Sequence, residues 1–223
     1  EGAAQPVPLL IKTARPGTNS DHHGRDAVWA LRREHALLDT LRGVPGLPET
    51  GTLIDSPQAS AIVRPFVHGE TFWDVWTSPG VRTPGVRARL LHALDEISET
   101  LAAIHARGHV VRDVSAGNIL LGVERAYLMD LELTHEGGDS SPPYRRGTRG
   151  YFDAAKPRDA APAIADDNFA MRALREMVEK GTPAVVASIQ GEEEKSFTTK
   201  DTERHRGRKE EEMGTDKHAC IIA

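Results

Sequence analysis

The sequence predicts an α+β chain in which a small sheet with one helix precedes a mainly helical part and a polar tail. Three observations carry this. Short apolar runs at 7–12, 52–55 and 60–67 have strand length and lie within the first third of the 223 residues. Apolar residues on a helical period take over later, most clearly between Thr83 and Arg107. From about Gly191 large apolar residues almost vanish, leaving too little burial to offset the entropy of ordering.

In chain order, Val-Pro-Leu-Leu-Ile-Lys at 7–12 is a strand with Lys12 at its end, followed by a Gly- and Pro-containing turn at Arg15 to Ser20. From about Asp26 the spacing of Val28, Leu31, Ala36, Leu37 and Leu41 predicts an amphipathic helix that contains Glu34 and stops at Gly43 and Pro45. Thr52 to Asp55 and Ser60 to Val67 are two further strands. Gly69 breaks the second, and Thr71 caps a short helix through Trp76. The run from Thr83 to Arg107 places Leu90, Leu91, Leu94, Ile97, Leu101 and Ile104 on one face, and Gly108 ends it. After Ala126 to Met129, a short strand, a polar loop leads to Tyr151. Ala163 to Glu179 is a last helix with Phe169, Ala173, Leu174 and Met177 inward, closed by Gly181-Thr182-Pro183. Residues 186–223 form a polar tail, read as disordered or a solvated helix between Gly191 and Lys217.

A net charge of −5 gives no global basic field, so nucleic acid is not expected as a partner. One cysteine, Cys220, excludes an intramolecular disulfide and fits a reducing, cytoplasmic setting. No apolar stretch is long enough to span a bilayer. The last residues, Cys-Ile-Ile-Ala, match a weak prenylation signal at Cys220, set against a mixed Arg and Glu segment upstream. The histidines share no metal-ligand spacing, and the Trp73 and Trp76 pair reads as packing rather than ligand stacking.

The densest chemistry lies in Gly-His-Val-Val-Arg-Asp-Val-Ser-Ala-Gly-Asn-Ile-Leu-Leu at 108–121 and in Met-Asp-Leu-Glu at 129–132. An Arg-Asp pair, an Asn five positions after the Asp, an apolar run and a second Asp on a short strand resemble the active site of a protein kinase in order and spacing. Gly147-Thr148-Arg149-Gly150-Tyr151 resembles the segment where such enzymes position a peptide. Asp167-Asn-Phe-Ala-Met resembles the start of the helix that anchors their catalytic loop. The resemblance covers about residues 7–180 and implies a truncated, two-lobed kinase-like fold, with 1–67 as a partial N-lobe and 68–185 as a partial C-lobe.

It further implies ATP and magnesium as cofactors and a set of roles. Asp113 would accept or orient the substrate hydroxyl, Asn118 and Asp130 would hold the metal, and Lys12, paired with Glu34, would contact the phosphates. Phe66 and Val67 would lie near the base, Thr148 would touch the Asp113 region, and Asp167 would be structural. Within the superfamily, Ser115, Asp-Leu-Glu in place of Asp-Phe-Gly, and the Gly-Thr-x-Gly-aromatic segment look like the kinase domain of class III and IV lanthipeptide synthetases. Those phosphorylate Ser and Thr of a precursor peptide before a lyase acts, so lyase and cyclase domains are implied partners.

The sequence also departs from the pattern. No Gly-x-Gly-x-x-Gly precedes Lys12, Val111 replaces the usual His, Ser115 replaces a Lys, and Glu132 replaces a Gly. A pseudokinase acting as a binding or scaffold module is therefore one alternative. A small-molecule kinase of the aminoglycoside type is another, though it should lack the peptide-positioning segment.

Overall fold

The structure is a computed structural model that describes residues 7–21, 23–81, 83–139, 147–157, 160–181 and 218–222. The reading of 186–217 as disordered, and the middle of the polar loop before Tyr151, lie outside the described residues. The elements are β1 (Leu9–Ala14), α1 (Ala27–Thr40), β2 (Thr52–Asp55), β3 (Ser60–Pro65), β4 (Gly69–Thr71), α2 (Phe72–Thr77), α3 (Pro84–His105), β5 (His109–Val110), β6 (Ile119–Gly122), β7 (Ala126–Leu128), β8 (His135–Glu136), α4 (Ile164–Lys180) and β9 (His218–Ile222). The chain is thus a mixed α and β structure with small antiparallel sheets.

The first sheet has the order β2-β3-β1-β9. Its register pairs Lys12 with Ile62 on one side and with Ala219 on the other. Lys12 therefore stands inside β1 rather than at its end, which corrects the expected strand by two residues. Pro8 has no N–H for a ladder; its carbonyl instead accepts the Phe66 amide at 2.9 Å.

The strand β9 is an element that the sequence reading did not place in the polar tail. Ala-Cys-Ile-Ile has strand propensity, and the outer edge of β1 offers a row of unpaired backbone groups. Cys220, which carries the prenylation-like signal, sits opposite Ile11 in this pairing.

Helix α1 links two apolar clusters. Ala27, Val28 and Leu31 pack with Ala14 and Ile62 under the sheet, while Leu37, Leu38 and Leu41 join the larger core with Phe72, Leu94, Ile97, Leu128 and Leu174. Burial of each such Leu or Ile contributes about 2 kcal/mol. Glu34 shares the buried stripe of this helix, so its carboxylate needs partners inside the protein.

The start of α1 is set by Asp26, whose side chain accepts the Trp29 amide at 2.9 Å and the Gly17 amide at 2.8 Å. The Gly17 contact is the main cause that holds this carboxyl below the usual aspartate range, against the opposing effect of partial burial. Asp26→Ala is expected to cost about 1 kcal/mol in urea titrations near neutral pH. A depressed folded-state pKa means that this contribution is complete above the ordinary aspartate value and is lost as pH falls through the folded value. The gap between parent and variant should therefore close in acid.

Helices α3 and α4 pack together through Leu90, Leu94, Ile97, Leu174 and Met177. Thr83 caps α3 with Pro84 in its first turn, and Gly181 ends α4. Arg87 Nη2 donates to the Val178 and Glu179 carbonyls at 2.8 and 2.6 Å, closing the C-terminal end of α4. The ladders β4-β6-β7 and β5-β8 are two to four residues long and frame the loops that carry Asp113, Asn118 and Asp130. No described helix is long and apolar enough to cross a membrane.

Candidate active site

The structure gathers Lys12 from β1, Glu34 from α1 and Asp130 from the segment after β7 into one cluster. Lys12 Nζ donates to Glu34 Oε2 and, at 2.8 Å, to Asp130 Oδ1. Burial alone would lower the pKa of this amine, but the two carboxylates outweigh it and hold it above the ordinary lysine value. The site therefore carries a fixed cation at neutral pH.

Asp113 lies on the loop after β5, and both of its oxygens are engaged. Oδ1 accepts the Thr148 amide at 2.7 Å and the Thr148 hydroxyl at 2.8 Å. Oδ2 accepts Asn118 Nδ2 at 3.0 Å, and the Asp113 carbonyl accepts the same nitrogen at 3.0 Å. With its NH₂ turned to these two acceptors, Asn118 presents its amide oxygen elsewhere. The Asn118 backbone carbonyl accepts the Met129 amide at 2.7 Å, which ties this loop to the strand that delivers Asp130.

Two residues here have left-handed backbone, Arg112 at φ 71 and Asp130 at φ 55. For a long side chain such as Arg this costs roughly 1–2 kcal/mol. Asp167, at the start of α4, offsets that strain. Its Oδ1 accepts the Arg112 amide at 2.7 Å and its Oδ2 accepts the Val111 amide at 2.8 Å, with His105 Nε2 also 2.8 Å from Oδ2.

Gly147 shows how closely the Thr148 segment is pressed onto this loop. It has φ 76, and a Cβ there would lie 2.5 Å from the Arg112 carbonyl oxygen and 2.9 Å from Asp113 Oδ1. Gly147→Ala is expected to push Thr148 off Asp113 and cost about 1–3 kcal/mol. Thermal unfolding would give the loss, and faster proteolysis near 147–157 would locate it.

Phe66 and Val67 follow β3 and are half-buried, with the Phe66 ring edge-on to His68 at 4.8 Å. Ser115 is buried, and its carbonyl accepts the Asn118 amide at 3.0 Å. One charged residue escaped the sequence reading. Arg64 is buried on β3 with Nη1 3.7 Å from Glu34 Oε1. The available signal was a charge standing at a buried position of an alternating strand, Ser60-Ala-Ile-Val-Arg.

The donor set suits a hard divalent cation. The Asp130 carboxylate and the Asn118 amide oxygen are oxygen ligands of the kind magnesium takes. Among the described residues no three His, Cys, Asp or Glu side chains are grouped to hold an ion. A cation held by Asn118 and Asp130 would thus complete its shell with phosphate and water oxygens, as magnesium does in nucleotide sites.

The mixed α and β architecture, with its Lys-Glu-Asp cluster beside an Arg-Asp loop, goes together with a protein-kinase-like relationship. The chain is 34% identical over 132 residues to the serine/threonine-protein kinase pkn2 of Myxococcus xanthus. The match takes in 57% of this chain and 15% of that protein, so the chain spans about 15% of the length of the curated relative it matches. No family model matches the chain.

Proposed function

We propose that this chain carries the nucleotide and catalytic loops of an ATP-dependent phosphotransferase acting on Ser or Thr hydroxyls of a peptide or protein. The observation that supports this reading most is the Lys12 cluster, in which a half-buried cation joins Glu34 and Asp130 across 22 and 118 residues. In this reading residues 1–67 and 68–185 are partial lobes with the nucleotide between them, its base beside Phe66 and Val67. The Lys12 ammonium holds phosphate oxygens, and Asn118 and Asp130 hold magnesium, whose charge neutralises the triphosphate when bound.

Asp113 takes the proton of the substrate hydroxyl as that oxygen bonds to the terminal phosphorus. The bond from phosphorus to the bridging oxygen breaks and ADP leaves. Thr148 orients Asp113 through Oδ1, and Asn118 fixes Oδ2. The finer assignment, a lanthipeptide-synthetase-like kinase working in the cytoplasm with lyase and cyclase domains, rests on Ser115, Glu132 and the Gly147 to Tyr151 segment of the sequence.

A second reading, a pseudokinase binding module, is favoured by one observation. Among the described residues the strand on the outer edge of β1 is β9, whose residues His218–Ile222 contain no glycine. Thermal unfolding with Mg-ATP, followed by transfer of label from ATP to a Ser/Thr-rich peptide, separates the two. Nucleotide at 100-fold its Kd is expected to stabilise the fold by about 2.7 kcal/mol. Absence of both stabilisation and transfer would sink the enzyme reading. Transfer to an aminoglycoside but not to peptide would move it to the small-molecule class.

A further inference from the structure

Arg64 is the one charged residue of β3, and its strand position decides where it points. Ser60, Ile62 and Arg64 alternate as the buried residues of that strand, and Ile62 packs with Val28 and Leu31 of α1. Arg64 follows the same face toward α1 and reaches Glu34, both side chains being almost fully buried at 4% and 1% exposure. Gly51, at φ 73, presses on this point: a Cβ there would lie 2.6 Å from Arg64 Cβ.

The pairing has an unusual geometry. Lys12 takes Oε2 of Glu34, whereas Arg64 faces Oε1 at 3.7 Å, too far for a hydrogen bond. Both Arg64 Nη1 and Glu34 Oε1 are buried without a hydrogen-bond partner. A buried carboxylate is tolerated only while a cation stays beside it. Lys12 serves Glu34 and Asp130 together, and phosphates would compete for the same ammonium.

We propose that Arg64 is a positioning residue, the reserve partner of Glu34, which lets Lys12 turn toward an anionic ligand without stranding a buried carboxylate. Closing the gap from 3.7 Å to an ordinary N–H···O distance needs a movement of less than about 1 Å. Helix α1 then stays docked on the sheet whichever acceptor Lys12 serves. The Glu34 partnership stands on the geometry alone, while the turn toward an anion rests on the proposed nucleotide site.

A stability cycle tests the partnership without nucleotide. Lys12→Met and Arg64→Met are compared singly and together, each with and without Glu34→Gln. Either single change leaves Glu34 one cation. The double leaves none, so its unfolding midpoint should fall below the sum of the singles by more than about 5 °C. Glu34→Gln should recover most of that excess. Additive singles, or a double variant that Glu34→Gln makes worse, overturn the proposal. Arg64→Lys, which keeps the charge, should behave like the parent.

Calorimetric titration with Mg-ADP tests the turn of Lys12. Arg64→Met should weaken binding about tenfold in the parent and have little effect in Lys12→Met, a pattern that mere loss of packing would not produce. Parent-like affinity in Arg64→Met overturns the turn. A parent that binds no Mg-ADP overturns the phosphotransferase reading, and the stability cycle still decides whether Arg64 is the partner of Glu34.

Discussion

Asp167→Ala is expected to destabilise the chain by about 3–5 kcal/mol, the largest stability loss of any single substitution considered. The carboxylate is fully buried and gathers the Val111 amide, the Arg112 amide and His105. Removing it strands the buried Val111 amide and the part-buried Arg112 amide and His105 ring, at about 1–3 kcal/mol each before relaxation. It also releases the Arg112 backbone from φ 71, so the loop carrying Asp113 should relax toward ordinary geometry. Asp167→Asn keeps the shape but turns an NH₂ toward donors, so an intermediate loss is expected. Urea unfolding of both variants checks this, and an alanine variant within 1 kcal/mol of the parent would show that the loop is held by something else.

On the proposed phosphotransferase reading, Asp113→Asn is expected to reduce phosphoryl transfer to a peptide about 10²- to 10⁴-fold while leaving nucleotide affinity nearly unchanged. The asparagine oxygen can still accept from Thr148, but its NH₂ meets the NH₂ of Asn118 where an acceptor stood. A stability loss of about 1 kcal/mol should accompany the change. Single-turnover transfer, normalised to folded protein, separates the two effects. Transfer at the parent rate would remove Asp113 from the role of base.

The helices were legible because their signals are local. In α1, α3 and α4 the apolar spacing repeats every turn and each cap or terminating glycine acts on the turn beside it, and the boundaries differ from expectation by one or two residues. The spacing of Asp113 and Asn118 was legible for the same reason, since five residues of one loop bring them together. The short ladders β4, β5 and β8 were not. Two or three residues carry no periodicity, and such strands exist only because distant segments pair with them. Lys12 was placed two residues too near a strand end because register belongs to β3 and β9 as much as to β1. The strand β9 escaped because its polar context outweighed a short apolar run, and the open edge it covers cannot be seen in one segment.

What the sequence by itself determined is the α+β order, the helical faces and the local loop that holds Asp113 with Asn118, all set by interactions within a few residues. Only the tertiary structure decided that Lys12 bridges Glu34 and Asp130, that Asp167 holds the Arg112 backbone, and that Arg64 stands against the same carboxylate. Those contacts join residues tens to more than a hundred positions apart. Their energies depend on burial and on competing partners, which exist only once the sheet, α1 and α4 have packed.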